Sequence, residues 1–205
     1  MISTVEWARS HNESTESIPP VIEGSTHAYP RRARQIALRA IILQGVVAVG
    51  YGVDPEPIIE WFHQQRIWWA VSPSEKQFLL ADSRSDKECS DMRWREEAQW
   101  ALLWMIGKVE ALGLPDHRCN TRTIVKFIPS LGSKIRYFLE TANLRHPSVL
   151  LTEDLRTYDL WCYAVKDRRE NRLPHDLDIS VLYQREYAFE WLDSRQAWDS
   201  IVCDA

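Results

Sequence analysis

The sequence predicts a single compact all-α domain of several helices around one central, tryptophan-rich helix. Ten tryptophans occur in 205 residues, and three of them lie within residues 92–107, a stretch that starts amphipathic and becomes apolar on nearly every side. A helix of that kind must be enclosed by protein. Glycines number only seven, and no segment alternates apolar and polar residues convincingly, so we predict no strands.

Length and composition place the chain among ordinary globular proteins. The 205 residues, 45% hydrophobic and 26% charged, suffice for one large domain with its own core. We divide the chain into a poorly ordered N-terminal tail, residues 1–30, and an all-helical domain, residues 31–205. The net charge of −4 provides no general attraction to nucleic acid or anionic lipid.

The cysteines and the N-terminus indicate a cytoplasmic protein. Cys89, Cys119, Cys162 and Cys203 form no CxxC pair, which disfavours zinc-finger and thioredoxin-like sites and suits reduced thiols. Residues 1–8 lack the charged-then-apolar pattern of a signal peptide. No apolar run approaches the roughly 18 residues that a membrane span needs, so we predict no membrane association.

The first two helices are predicted from apolar stripes and terminal residues. Residues 31–49 carry apolar side chains at helical spacing, and Gly50 suits the left-handed position beyond a helix. The arginines of its first half, including Arg39, oppose the helix dipole, so some are expected to find acidic partners. Their face is interpreted as solvated and basic, with anion binding as the alternative. Asp54 as cap and Pro55 in the first turn begin a second helix.

An apolar connector over residues 67–71 follows and contains the adjacent pair Trp68 and Trp69. We expect this connector to pack on the body of the domain. An exposed tryptophan would instead mark a surface that binds a partner. Ser72 and Glu75 then form a complete capping box, which begins a short third helix.

The central helix is predicted over residues 91–112. Its end is indicated by Gly113 in the left-handed position and by Pro115, which prevents continuation. Beyond it, Trp198 is expected to dock the C-terminal segment on the core. Further helices are predicted over residues 121–128, 133–141, 148–169 and 180–193.

Two tryptophan-containing motifs, residues 94–107 and 181–192, stand out, together with residues 114–119 and 198–201. In these segments the chain resembles a bacterial protein family, the domain-of-unknown-function family 4272, from about Arg31 to the C-terminus. The resemblance implies a shared fold and carries no established activity. Relative to the family pattern the chain departs at two positions of the second motif, Gln184 and Glu190, and at three of the long helix, Arg156, Leu160 and Cys162.

Four polar residues lie nearest the apolar faces of the two motif helices: Arg95, Glu97, Arg185 and Glu190. Glu97 shares a helix face with Trp100, where a carboxylate is desolvated unless it is paired, so we predict an ion pair with Arg185 or Arg95. We interpret the four as a buried structural network that fixes helix register. The alternative is a carboxylate of raised pKa that acts as acid or base in a cleft.

Motifs for metal, cofactor and nucleophile chemistry are absent from the sequence. His117 and Cys119 offer too few ligands for a metal, as do the His and Asp residues of segment 171–178. No HExxH, GxSxG or phosphate-binding glycine loop occurs. We therefore predict no metal and no cofactor. The two short basic runs, residues 31–32 and 166–169, do not predict a nucleic-acid interface.

The function that the sequence favours is non-enzymatic: a cytoplasmic bacterial protein that binds another protein, with Trp68 and Trp69 as the candidate binding residues. An immunity or accessory role beside a toxin or a secretion system is one concrete form, because an acidic helical protein suits a basic partner. No oligomeric state is indicated. The alternative is a small-molecule or hydrolytic enzyme that uses buried carboxylates: Glu97, Glu153, Asp154 or Asp159.

Overall fold

The computed structural model describes residues 27–169 and 177–204, and within these ranges it confirms the all-α fold. The described chain forms eight α-helices and two short 3-10 helices, and it contains no strand. Residues 1–26 of the predicted tail lie outside the described residues, as does the segment around Pro174. The helices are α1 (Ala33–Gly50), α2 (Pro55–Gln64), α3 (Pro73–Leu80), α4 (Asp86–Met105), α5 (Thr121–Ile124), α6 (Arg136–Glu140), α7 (Pro147–Arg169) and α8 (Ile179–Asp193).

The four long helices form the core in the spatial order α1, α4, α8, α7. Helix α4 packs against α1 and against α8, and α8 also packs against α7. The tryptophan-rich helix α4 is therefore the central element that the sequence predicts. Its second half is enclosed, because Leu102, Leu103 and Met105 have no appreciable exposed surface and Trp104 is 5% exposed.

Helix α4 begins and ends earlier than predicted. It begins behind a capping box formed by Ser85 and Glu88, and it ends at Met105 instead of residue 112. Gly107 takes the left-handed conformation at φ 68°, and the amide of Lys108 donates to the carbonyl oxygen of Leu103 at 2.9 Å. This bond is typical of a helix that ends at a glycine in the left-handed conformation, and Gly107 is the first glycine that the helix reaches. Gly113, the predicted terminator, lies in the following loop at φ 76°.

Helix α1 is buried along most of its length, which explains its apolar composition. By length and composition alone α1 is long and apolar enough to cross a bilayer, contrary to the sequence-based expectation, but most of it lies inside the protein. Such a helix is weak evidence for a membrane span. Its end also differs from the prediction, because Gly50 is its last residue and Gly52 takes the left-handed conformation at φ 92°.

Helices α1 and α2 come close together at Gly45. A Cβ atom added there would lie 2.5 Å from Phe62 Cζ and 2.7 Å from Ile58 Cγ2, and both side chains are buried. We expect Gly45→Ala to lower the free energy of unfolding by about 1–3 kcal/mol, because overpacking outweighs the gain in helix propensity. Urea denaturation measures this loss.

The control for Gly45→Ala is Ala48→Gly, a change in the opposite direction at a half-buried position of the same helix. That control measures propensity without the clash and is expected to cost about 1 kcal/mol. If Gly45→Ala stabilises the protein instead, Phe62 and Ile58 move aside and the proposed tight contact is wrong.

The C-terminal segment docks on helix α8 as the sequence predicts. A 3-10 turn, Trp198–Ser200, places Trp198 against Tyr187 and Trp191, with ring centroids 4.9 Å and 5.4 Å apart. Trp198 is 4% exposed and Ile201 is 8% exposed. This docking brings the last described residues close to α4 and α8, where they complete a groove.

Candidate functional site

The connector between α2 and α3 forms a 3-10 turn, Trp68–Ala70, whose flanks are buried. Ile67 and Val71 are 5% and 2% exposed and anchor the turn. The half-buried Trp68 stacks on His63, with ring centroids 5.0 Å apart. Trp69, by contrast, is 75% exposed. The expectation that the whole connector packs on the domain is wrong for Trp69, because a turn of three residues cannot direct two adjacent rings to one side.

Glu97 and Arg185 form an ion pair at the centre of the domain. Both side chains are buried, and Arg185 Nε donates to Glu97 Oε2 at 3.3 Å. The backbone N–H of Cys119 donates to the other carboxylate oxygen. Arg185 also donates to the carbonyl oxygens of Gly113 at 2.8 Å and Leu112 at 3.3 Å. The pair thus connects α4, α8 and the loop after α4, and each oxygen of Glu97 accepts a hydrogen bond.

The other two members of the predicted network lie apart from this pair. Arg95 Nη1 donates to Gln184 Oε1 at 3.5 Å, and its guanidinium lies 4.2 Å from the centroid of the Tyr187 ring. Glu190 is exposed on α8. It does not belong to a buried network, because α8 turns its position toward solvent while the adjacent Phe189 enters the core.

Two further carboxylates, Glu75 and Glu96, are buried, and their burial was not predicted from the sequence. Arg39 Nη2 donates to Glu75 Oε2 at 2.6 Å inside the protein, so Arg39 is not part of a solvated basic face. Arg39 lies on the apolar stripe of α1, and a charge buried there requires a partner of opposite charge. Glu96 binds Arg118 and accepts from Thr121 Oγ1 at 2.8 Å. Burial raises the pKa of Glu96, and these two partners oppose the rise.

A groove of about 760 Å³ opens between α4, α7, α8 and the C-terminal segment. Three aromatic side chains from three helices line it: Trp94, Trp161 and Tyr183. Arg95 is the cation among its described lining residues, and a pocket of this size and character suits a small molecule. The other lining residues are Asp91, Met92, Val165, Ile179, Ser180, Gln184, Cys203 and Asp204.

The starts of the two tryptophan motifs meet at this groove, and a family model contains both motifs. The model described as a domain of unknown function (DUF4272) matches residues 6–201. The chain belongs to this family. The match extends the resemblance upstream of Arg31 into the predicted tail. No curated protein and no solved structure matches the chain.

In this DUF4272 member, a cluster of carboxyl groups lies between α7 and α8, behind the groove. Glu186 is 2% exposed, and its Oε2 has no hydrogen-bond partner. Burial, followed by the charges of Asp154 and Glu190, raises the pKa of Glu186 to about 9. Burial, followed by the charges of Asp193 and Glu190, raises the pKa of Asp154 to about 7. Glu186 therefore carries a proton at neutral pH.

The carboxylates proposed for acid–base chemistry from the sequence do not assemble as a set in this DUF4272 member. Glu153 accepts from Arg156 Nη1 at 2.9 Å. Burial raises the pKa of Asp159. Asp154 lies near other carboxyl groups, among them Glu186, which was not predicted from the sequence. In the described ranges, no group of three or more His, Cys, Asp or Glu side chains is arranged to hold a metal ion.

Proposed function

We propose that the protein is a non-enzymatic module that binds another protein, with Trp69 as the central contact. The observation that supports this is the 75% exposure of the Trp69 side chain. Tryptophan is among the residues most enriched at the energetic centres of interfaces. We further propose a bacterial, cytoplasmic protein in an immunity or accessory role, whose net charge of −4 suits a basic partner.

The surroundings of Trp69 favour a preformed contact. Ile67 and Val71 hold the turn from both sides, and the stack of Trp68 on His63 fixes the neighbouring ring. An anchor on a fixed turn loses little conformational entropy when it enters a partner's pocket. An indole that is exposed on a rigid turn therefore offers affinity without a rearrangement of the domain.

We expect Trp69→Ala to weaken capture of the physiological partner about 30-fold, the effect of losing a contact worth about 2 kcal/mol. The change should leave the free energy of unfolding within about 0.5 kcal/mol of the wild type, because the side chain is largely exposed. The measurement is affinity purification at native expression level, with quantification of the captured proteins by mass spectrometry.

The matched control is Tyr137→Ala, which removes an aromatic side chain that is 78% exposed on helix α6. A protein captured by the wild type and by Tyr137→Ala, but not by Trp69→Ala, supports the proposal. Equal capture by all three variants, or isolation of the wild type always without a partner, contradicts it.

A second candidate is a small-molecule or hydrolytic enzyme, and Glu186 is the observation that favours it. Burial, followed by the charges of Glu186 and Glu190, raises the pKa of Cys203 to about 12, so Glu186 lies close to a residue that lines the groove. A carboxyl group held neutral at pH 7 is suited to donate a proton as a general acid. This candidate requires a substrate whose turnover Glu186→Gln abolishes while the fold is retained.

A further inference from the structure

The groove combines stacking surfaces with a cation that no carboxylate neutralises. Arg95 is half-buried, and among the described residues no carboxylate lies within ion-pair distance of it. Its polar partners are neutral: the amide of Gln184, which is buried in the groove wall, and the side chain of Tyr187. The guanidinium also lies over the rings of Tyr187 and Trp198, 4.2 Å and 5.8 Å from their centroids. A guanidinium in this state keeps N–H groups available for an anion.

The positive charge of Arg95 extends along the groove wall. Burial raises the pKa of Tyr183, and the charge of Arg95 partly opposes that rise. The same opposition acts on the thiol of Cys203, where the charges of Glu186 and Glu190 outweigh it. Both residues line the groove, and an anion placed beside Tyr183 lies within the field of Arg95.

The two acidic residues of the groove do not neutralise Arg95. Asp91 is bound by Lys87, whose Nζ lies 2.6 Å from Asp91 Oδ2. Asp204 is exposed at the C-terminal edge. The groove is therefore positive at Arg95 and negative toward Cys203 and the exposed Asp204.

The aromatic side chains that line the groove determine which uncharged part of a ligand it would accept. Trp161 and Tyr183 meet edge to face, with ring centroids 6.1 Å apart, and Trp94 lies on the α4 side of the groove. The guanidinium of Arg118 lies over the ring of Trp94, 4.5 Å from its centroid. Aromatic side chains arranged in this way favour a planar ring, which they contact by stacking or edge-to-face packing.

We infer that the groove binds a small planar aromatic molecule that carries an anionic group, with Arg95 on the anion and Trp94, Trp161 and Tyr183 around the ring. This site is separate from the turn that carries Trp69. Binding in the groove requires no partner protein, so its test is independent of the proposed protein-binding function.

The test compares two fluorescent probes that differ by one anionic group. The first is 1-anilinonaphthalene-8-sulfonate, and the second is N-phenyl-1-naphthylamine, which has the same rings without the sulfonate. We expect the folded wild-type protein to bind the sulfonate at least about 10-fold more tightly, the discrimination of one charge-assisted contact. We also expect this preference to shrink as salt is added.

Variants of α4 locate the contact. Arg95→Gln should abolish the preference for the sulfonate, and Arg95→Lys should keep most of it. The matched control is Arg93→Gln, because Arg93 lies on the same helix, outside the groove lining, over the ring of Tyr51. This control should behave as the wild type, and near-ultraviolet circular dichroism establishes that each variant is folded.

Equal binding of the two probes by the wild type, or binding of neither, overturns the inference whatever the variants do. A preference that survives in folded Arg95→Gln overturns it as well. If Arg95→Gln does not fold, the wild-type probe ratio, its dependence on salt and the behaviour of Arg95→Lys decide the outcome.

Discussion

Glu97→Ala is expected to lower the free energy of unfolding by about 3–5 kcal/mol, which is the usual cost of removing one partner of a buried ion pair. Glu97 has no exposed surface, and its two oxygens accept from Arg185 and from the backbone of Cys119. Without the carboxylate, Arg185 remains buried with carbonyl partners only, and the amide of Cys119 loses its acceptor.

Urea denaturation followed by circular dichroism measures this loss, and Glu97→Gln gives an intermediate value because an amide oxygen still accepts one hydrogen bond. The double variant Glu97→Leu/Arg185→Met is the informative control. It removes both charges and should recover much of the stability, because a buried pair gains little over apolar side chains of similar volume.

A loss below about 1 kcal/mol for Glu97→Ala would mean that the pair is not a structural element of the core. A Glu97→Gln variant of wild-type stability that loses a catalytic activity would favour the acid–base alternative instead. Stability and activity therefore separate the two interpretations of the same carboxylate.

The order and type of the helices follow from the sequence, whereas several helix ends do not. Apolar periodicity predicted each of the four long helices, although the capping box of Ser85 and Glu88 that begins α4 was not identified. Two glycines, Gly107 and Gly113, both meet the requirements of a terminator after the central helix, and both have positive φ. The chain ends the helix at the first of them because the segment beyond it packs elsewhere. That choice depends on tertiary packing, which a local pattern does not contain.

The buried carboxylates show a similar limit. Glu97 could be identified because it shares a face with the apolar side of its helix. Its partner could not be chosen between Arg185 and Arg95, because both lie near the motif helices in sequence. Glu96 was missed since adjacent helical residues point about 100° apart, and only a helix enclosed on several sides buries both.

The groove has no signature in any one segment. It is assembled from α4, α7, α8 and the C-terminal residues, and each lining residue by itself matches an ordinary core or surface position. Trp94 and Tyr183 belong to the two motifs that carry the family resemblance. Those motifs were predicted to form the core. The groove depends on how these helices are placed relative to one another, which is a three-dimensional property.

The buried Glu186 was not predicted from the sequence either. Its burial predicts that the free energy of unfolding depends on pH. The folded protein keeps the Glu186 proton up to a pKa of about 9, whereas the ordinary value of 4.5 applies to the unfolded chain. Between those pH values the unfolded chain gains free energy by ionising and the folded protein does not. The free energy of unfolding therefore falls as the pH rises from about 4.5 to about 9, and Asp154 adds a loss of the same sign up to about 7.

We therefore expect Glu186→Gln, which cannot ionise, to raise the free energy of unfolding by about 2 kcal/mol near pH 8, since each unit of raised pKa corresponds to about 1.4 kcal/mol and part of the shift is relaxed by solvent. Near about pH 4.5 the variant and the wild type should have nearly equal stability. Urea denaturation across this pH range measures the difference.

The control is Glu190→Gln, one helical turn further along α8 and exposed. Its carboxylate contributes to the raised pKa of Glu186, so its removal should give a change of the same sign and smaller size. Parallel pH profiles for the wild type and Glu186→Gln, or a variant that is less stable near pH 8, would show that the Glu186 carboxyl finds a compensating partner. In that case Glu186 would be ionised at neutral pH and unsuited to act as a proton donor beside the groove.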